Sequence, residues 1–240
     1  MDDLEIEQLD RLESSHFWYR ARKDQLSNWL LNTQPKSRNV LDLGSATGGN
    51  TLHLLSMGYR VTSVEYSEIG VSIQRKKGLP VIRADARCLP FKDESFDLVI
   101  CLDVLEHIVE DYRVADEIYR VLAPDGTFLI SVPEDPALWS DHDVSVNHVR
   151  RYLKSDLIDV IQASKLSIHQ IWSTLFLLRP LILVARKFTK GSNLKKLNVI
   201  VNLILLAICK LELVFPKFRG KGVTLWISGQ KSSHLNKVKK

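Results

Sequence analysis

A short segment rich in small residues is the first part of the chain whose residue types suit ligand binding. An apolar run carries one carboxylate, Asp42, and ends in the small-residue turn 44–49. Helical periodicity over 51–57 follows, so the segment is predicted to form a strand, a turn and a helix. The glycines of this turn have no side chain and would let a ligand approach the backbone closely.

The spacing of small residues also permits a dinucleotide site, and Asp42 distinguishes the two ligands. The pattern Gly44-x-Ala46-x-x-Gly49 is close to a dinucleotide fingerprint. A pyrophosphate, however, binds best at a helix N-terminus with no negative charge nearby. A carboxylate two residues before the turn suits a ligand with cationic groups, such as the ammonium and sulfonium of S-adenosylmethionine (SAM). The turn is therefore predicted to bind SAM.

Two further acids fall at the ends of predicted strands. The second predicted strand ends in Glu65, 23 residues after Asp42. In a doubly wound sheet a carboxylate there meets the ribose hydroxyls of a nucleoside, although a solvated strand-end acid is the alternative. The third ends in Asp85, which could accept a hydrogen bond from the exocyclic amine of adenine, with Ala86 adding a backbone contact.

The predicted elements around these residues alternate between strand and helix. Five strands alternate with helices between 38 and 132, which calls for a parallel sheet with right-handed crossovers. The nearly continuous apolar run 96–101 is predicted to be a buried central strand. A helix stop and turn are predicted at 123–126, before a fifth strand at 127–132.

Together these motifs resemble the class I SAM-dependent methyltransferases, in particular the branch that acts on small molecules and lipid intermediates. The resemblance spans about 16–172 and resumes at 223–229. It rests on the segments 41–48, 96–107 and 122–127 and on the acids Glu65 and Asp85. One departure is Ser45-Ala46, where the family often has a second glycine.

The resemblance implies an α/β fold, a doubly wound Rossmann-like sheet of seven strands. Most strands would be parallel and the last antiparallel, with strand six at 166–172 and strand seven at 223–228. The implied cofactor is SAM. The residues expected to bind it are Asp42, Gly44, Ser45, Ala46, Gly48, Glu65, Tyr66, Asp85, Ala86, Cys101 and Leu102.

Candidate catalytic residues follow strands four and five. Methyl transfer is an in-line displacement that needs a base only when the acceptor arrives protonated. His107 and His148 are candidate bases because the unperturbed pKa of histidine is nearest neutral. The structural alternatives are that His107 caps or braces a helix and that His148 belongs to a network that orders the loop. We expect His148, His107 and Tyr152 to be catalytic, and Trp18, Trp139, His142 and Arg151 to bind the acceptor.

The same loop contains residue types found in metal sites. His142 and His148 lie near Asp141 and Asp143. Loop histidines six residues apart are weak evidence for a metal site, so no metal is predicted.

The segment 173–222 differs in composition from the rest of the chain. Residues 175–222 contain ten Lys and Arg against one acid, Glu212, and two apolar runs. Apolar helices rimmed by cations suit the surface of an anionic membrane, while a homodimer interface or a helical subdomain are the alternatives. The predicted organisation is an N-terminal helical cap (1–35), a SAM-binding core (36–172 and 223–230), a helical insertion between strands six and seven (173–222) and a disordered basic tail (231–240).

Composition bears on the cellular location expected for the protein. The acidic start has no apolar core and predicts no secretory signal, and the three cysteines lack metal-like spacing. We expect a cytoplasmic enzyme, peripheral at the inner face of the membrane, that methylates a hydrophobic, lipid-linked or glycan small molecule. The alternatives are O-methylation of a carboxyl or hydroxyl on a peptide or natural product, and a non-catalytic SAM-binding partner protein. Nucleic acid is disfavoured because no platform of basic and aromatic residues is evident.

The cofactor assignment gives the first testable prediction. Calorimetry on the protein should show micromolar binding of SAM and of its demethylated product, with no binding of NAD. Glu65→Ala should weaken SAM binding by about 1–3 kcal/mol, because the ribose hydroxyls lose a buried partner. Tight NAD binding without a response to SAM would contradict the assignment.

Overall fold

The computed structural model describes residues 3–34, 38–188, 196–214 and 220–232. Most of the predicted basic tail, 233–240, lies outside these residues. The seven strands are β1 (Asn39–Leu43), β2 (Arg60–Glu65), β3 (Val81–Arg83), β4 (Phe96–Leu102), β5 (Leu122–Pro133), β6 (Ser167–Thr174) and β7 (Thr224–Gln230).

The described helices flank these strands. They are α1 (Asp3–Leu12), α2 (Phe17–Thr33), α3 (Gly49–Ser56), α4 (Glu68–Lys76), α5 (Asp111–Val121), α6 (Asp141–Ser145), α7 (Lys154–Ala163), α8 (Arg179–Phe188) and α9 (Val199–Glu212). Short 3-10 turns follow β4 at Leu105–His107 and β5 at Pro136–Leu138.

All seven strands form one sheet in the order β3-β2-β1-β4-β5-β7-β6. The pairs among β1 to β5 are parallel, and β7 is antiparallel to both of its neighbours, β5 and β6. The predicted fold class is therefore confirmed. Because the parallel strands share a direction, the carboxyl ends of β1, β2, β4 and β5 meet at one edge of the sheet, where ligands of such folds bind.

The start of β5 differs from the predicted turn at 123–126. The strand begins at Leu122, opposite Phe96, and the ladder resumes only where Leu98 meets Thr127. Asp125 does have the left-handed backbone of a turn, with φ 61°. Its N–H nevertheless donates to the carbonyl of Lys231 at 2.9 Å, so the turn residues extend the sheet.

The central strand β4 is buried on both faces, as its continuous apolar run predicts. Val99 and Cys101 pack on the side of α5 and α7, whereas Leu98 and Ile100 pack on the side of α2 and α3. Successive strand residues point to opposite faces, so one run supplies both cores.

Helices α8 and α9 lie in the chain between β6 and β7 and dock on the start of α2. Leu178, Leu206 and Cys209 pack with Phe17 and Ala21. Among the described residues no helix is long and apolar enough to cross a membrane.

One buried carboxylate fixes α9 to the exit of β6. Glu212 accepts the backbone N–H of Leu175 at 2.5 Å and that of Leu177 at 2.8 Å. A second tie comes from Asn202, which accepts the N–H of Phe17 at 2.7 Å. The insertion is thus joined to the core through main-chain groups.

The Glu212 anchor should be measurable in stability. Glu212→Ala should lower the free energy of unfolding by about 2–4 kcal/mol, since two buried N–H groups lose their acceptor and each such loss costs about 1–3 kcal/mol. Denaturant unfolding would measure this effect. The matched control is Glu68→Ala, which removes an exposed pair with Arg83 and should cost under about 1 kcal/mol. Equal effects of both substitutions would contradict the anchoring role.

Candidate active site

A cavity of about 700 Å³ lies at the carboxyl edge of the sheet. Its wall combines the turn after β1, the start of α2, the exit of β4, the 140–151 loop and apolar side chains of α8 and α9. Those helices contribute Leu181, Ile182 and Leu205. The cavity is therefore polar where the strands end and apolar toward the insertion.

The turn after β1 has the tight backbone predicted for it. Gly44, Ala46 and Gly48 have φ of 75°, 47° and 87°. A Cβ on Gly44 would lie 2.2 Å from Cγ2 of Val104, so only glycine fits. Gln74 donates to the carbonyl of Ala46 at 2.9 Å and holds the turn in place.

Asp42 lies behind the turn and does not line the cavity. Its carboxylate is buried and accepts the hydroxyl of Thr51, at the start of α3, at 2.6 Å. Burial raises the pKa of Asp42 to about 7, against the effect of this hydrogen bond. Asp42 thus fixes α3 to β1, and its direct contact with the cationic groups of SAM stays a prediction.

Glu65 faces the turn from the end of β2. Its two oxygens accept the backbone N–H groups of Ala46 and Ser67, each at 2.7 Å. A carboxylate has about four lone-pair sites, so two remain for the hydroxyls of a ribose. The neighbouring Tyr66 ring is 69% exposed and free of the core. Contact of Glu65 and Tyr66 with the nucleoside half of SAM stays a prediction.

Asp85 follows the end of β3, and its contact with the adenine amine stays a prediction. Asp85 is half-buried and pairs with Arg87 at 2.7 Å, and the hydrogen bond from Arg87 lowers the pKa of Asp85. Ala86 is buried beside it, and Cys101 is buried in the sheet. Four of the residues predicted to bind SAM line the cavity: Gly44, Ser45, Ala46 and Leu102. Six others lie outside its wall: Gly48, Glu65, Tyr66, Asp85, Ala86 and Cys101.

His148 lies on the cavity wall and is oriented by a buried carboxylate behind it. Its Nδ1 lies 2.9 Å from Oδ1 of Asp143, which also accepts Nε of Arg151 at 2.8 Å. A carboxylate only accepts hydrogen bonds, so the proton is on Nδ1 and the lone pair on Nε2. Nε2 lies 3.8 Å from Oε1 of Glu106.

Electrostatics keep this group of side chains in defined charge states. Burial would raise the pKa of Asp143, but His148, Arg151 and Arg186 outweigh it and hold that pKa below its usual range. Burial lowers the pKa of His148, partly offset by Asp143. Burial also lowers the pKa of His107, to about 3. Both imidazoles are therefore neutral at neutral pH.

Several polar residues on this wall or directly behind it were not predicted as site residues from the sequence. Arg22 of α2 pairs with Asp103 at the exit of β4. Glu106 is fully buried, and burial raises its pKa to about 8. Asp143 lies five residues before His148, and that spacing within one loop was the available signal. Nothing in the sequence links Arg22 to Asp103, because they are 81 residues apart.

Two of the residues predicted for catalysis or acceptor binding do not line the cavity. The Tyr152 hydroxyl is buried and donates to Asp111 at 2.6 Å, so Tyr152 joins α5 to the exit of β5 and does not reach the cavity. Its predicted catalytic role is corrected to a structural one. Trp139 is 44% exposed and is also absent from the wall. The other predicted acceptor residues, Trp18, His142 and Arg151, line the cavity together with His107 and His148.

The sequence of this chain is similar to sequences of known methyltransferases. The family described as "Methyltransferase domain" matches residues 41–130, from the turn to β5. The segment 41–130 is thus identified as a methyltransferase domain, and the similarity of the chain to proteins named as SAM-dependent methyltransferases supports SAM as its cofactor.

Individual relatives match over part of their length. A Mycolicibacterium smegmatis protein named as a SAM-dependent methyltransferase is 25% identical over 157 residues, covering 64% of this chain and 60% of the relative. A Clavibacter sepedonicus demethylmenaquinone methyltransferase is 32% identical over 118 residues, 46% of this chain and 48% of the relative. The chain thus spans about half to three fifths of these relatives.

Solved structures share the fold. A SAM-dependent methyltransferase from Thermotoga maritima superposes with a TM-score of 0.61 at 20% identity, covering 95% of each chain. A Galdieria sulphuraria structure titled as a sarcosine dimethylglycine methyltransferase gives 0.62 at 17% identity, over 89% of this chain and 86% of that one.

Proposed function

We propose that this protein transfers the methyl group of SAM to a hydrophobic small-molecule acceptor, lipid-linked or a glycan intermediate, bound in the cavity. The observation that carries the proposal is the two-sided wall: the turn and the exit of β4 on one side, and the apolar side chains of α8 and α9 on the other. When bound, SAM supplies an electrophilic methyl group. A relative named for demethylmenaquinone supports a small-molecule acceptor.

The cavity wall also provides a base for an acceptor that arrives protonated. Nε2 of His148 carries a lone pair because Nδ1–H donates to Asp143. We assign to Nε2 the role of accepting the proton of an acceptor hydroxyl, so that the oxygen could take the methyl group that bound SAM would supply, with SAM leaving as its thioether product. Asp143 stabilises the imidazolium that results. His107 lies beside it, with ring centroids 4.8 Å apart, and is the second candidate.

Acceptor choice follows from the apolar half of the cavity. Leu181, Ile182 and Leu205 would contact an alkyl or prenyl chain. Trp18 and Arg151 lie on the polar side, where a headgroup would sit. O-methylation of a peptide or natural product uses the same base but makes less use of the apolar wall, and a non-catalytic SAM-binding protein leaves the oriented imidazole without a role.

Methyl transfer is tested with SAM labelled in the methyl group and a cell extract as the source of acceptor. The full-length protein should move label into the lipid-soluble fraction. His148→Ala should cut turnover roughly 10²-fold while SAM affinity stays nearly unchanged. The matched control is His169→Ala, an exposed histidine of β6 outside the cavity.

Three other results would each change the proposal. Label confined to water-soluble peptides would favour the alternative acceptor. SAM binding without transfer to any fraction would favour a non-catalytic partner protein. Full turnover by the His148 variant would remove its role as base.

The exposed face of α9 supports a second proposal, contact with an anionic membrane surface. α9 is 14 residues long, about 21 Å, which is too short for a bilayer core of about 30 Å. Its exposed apolar side chains are Val199, Ile200, Val201, Leu203, Ile204 and Leu211, with Leu181 and Val184 on α8. Such an exposed apolar patch suits the acyl boundary of a bilayer.

The structure divides the cations of this segment into two groups. Arg179 and Lys221 lie beside Asp135, and Arg186 contacts Asp143, so these three are directed at core acids. Lys196 and Lys210 are exposed. The structure does not describe the side chain of Lys187 or the residues Lys190, Lys195, Lys217 and Arg219. The attraction to anionic lipid therefore comes from fewer than ten cations.

Vesicle co-sedimentation tests this surface. Binding should rise with the fraction of anionic lipid and fall only partly in high salt, because apolar burial is not screened. Ile200→Glu combined with Ile204→Glu should abolish it. Leu31→Glu, equally exposed at the far end of α2, should not. A compact dimer that ignores every vesicle would assign the face to a subunit interface.

A further inference from the structure

We propose that Glu106, His107 and His148 form a binding site for one divalent transition-metal ion on the cavity wall. One ligand atom from each residue lies within 4.8 Å of the other two. All three side chains line the cavity. Two imidazoles and one carboxylate are a set that binds ions such as Zn²⁺ or Fe²⁺ with positions left open.

The Glu106 carboxylate is the group that most needs a partner. It is fully buried, and among the described residues neither oxygen has a hydrogen-bond donor from another residue. Arg22 and Arg151 are the cations that act on Glu106 electrostatically, but Arg22 is paired with Asp103 and Arg151 with Asp143. A buried carboxyl group whose oxygens lack hydrogen-bond partners is costly whether or not it is ionised, and a metal ion would supply the missing partner.

Both imidazoles have one ring nitrogen that carries a lone pair, and one ligand atom of each lies within 4.8 Å of the other and of a Glu106 oxygen. Nδ1 of His107 lies 3.2 Å from the carbonyl oxygen of Asn147, and Nδ1 of His148 lies 2.9 Å from Asp143. A carbonyl and a carboxylate only accept, so each Nδ1 carries the proton and each Nε2 carries a lone pair. Metal-binding histidines generally donate their other ring N–H to such a group, which fixes the ring.

The distances require only small movements to close around an ion. Nε2 of His148 is 3.8 Å from Oε1 of Glu106, and the two rings are 4.8 Å apart at 72°. Ligands about 2.0–2.2 Å from a central ion are about 3 Å from each other, so side-chain shifts of about 1 Å suffice. The three residues come from the 3-10 turn after β4 and from the end of the 140–151 loop, which the N–H of Val149 ties to the carbonyl of Glu106 at 2.7 Å.

The open side of this site faces the acceptor, a role that rests on the proposed function. An ion held there would bind an acceptor heteroatom and stabilise its deprotonated form. His148 would then be a ligand instead of the base. The sequence predicted no metal because it paired His148 with His142, whereas the fold pairs it with Glu106 and His107.

Metal binding is measured without SAM or acceptor, so its outcome is independent of methyl transfer. Full-length protein is stripped with a chelator and titrated with Co²⁺, whose visible absorption reports ligation by nitrogen and oxygen, and Zn²⁺ is then added as competitor. We expect one ion per chain. Glu106→Gln and His107→Ala should each weaken binding at least roughly 10-fold. His169→Ala is the matched control and should bind as the unaltered protein does.

The variants separate ligation from folding. Glu106→Gln keeps the volume of the side chain, and thermal unfolding followed by circular dichroism shows whether each variant remains folded. Loss of Co²⁺ absorption in a folded Glu106→Gln protein supports the site. The proposal is overturned if the unaltered protein binds neither Co²⁺ nor Zn²⁺. It is also overturned if the Glu106 and His107 variants bind these ions as tightly as the unaltered protein does.

Discussion

The buried carboxylate of Asp143 is the constraint on which the active-site wall depends. It accepts hydrogen bonds from His148 and Arg151 and contacts Arg186 of α8 at 3.3 Å. A carboxylate buried without these partners would be strongly destabilising, so the loop, the exit of β5 and the insertion must lie where they do. Arg151 extends the connection by donating to the carbonyl of Glu134 at 2.8 Å. The orientation of His148 is a consequence of this arrangement.

The insertion has an inner side and an outer side with different roles, and its amino-acid composition alone did not distinguish them. Its inner side completes the cavity and supplies Arg179 and Arg186 to acids of the core. Its outer side leaves apolar residues of α9 exposed. A cation-rich segment therefore stabilises the site through buried ion pairs and still presents an apolar surface. The same helices could bring an acceptor from a membrane surface to the cavity, which links the two proposals about the acceptor and the membrane.

The cofactor side is organised by main-chain hydrogen bonding more than by side chains directed at a ligand. Glu65 accepts the N–H of Ala46, so the end of β2 fixes the turn that follows β1. Asp42 fixes α3 through Thr51. Both acids were recognised in the sequence by their position relative to the turn, but the structure shows that each also stabilises the backbone that would surround SAM.

The sequence by itself determined the sheet, the turn and the class of cofactor, because these depend on local patterns. The apolar runs, the glycines of the turn and the acids at strand ends lie close together in the chain. The period of the apolar residues therefore assigns them to strands, turns or helices. Only the tertiary structure decided which polar groups meet at the cavity. Arg22 meets Asp103, and Glu106 meets His148, across 81 and 42 residues of chain. It also placed Tyr152 beside Asp111 in the core. The physical reason is that the burial and pairing of charges depend on neighbours from distant segments, and one sequence contains no local signal of such neighbours.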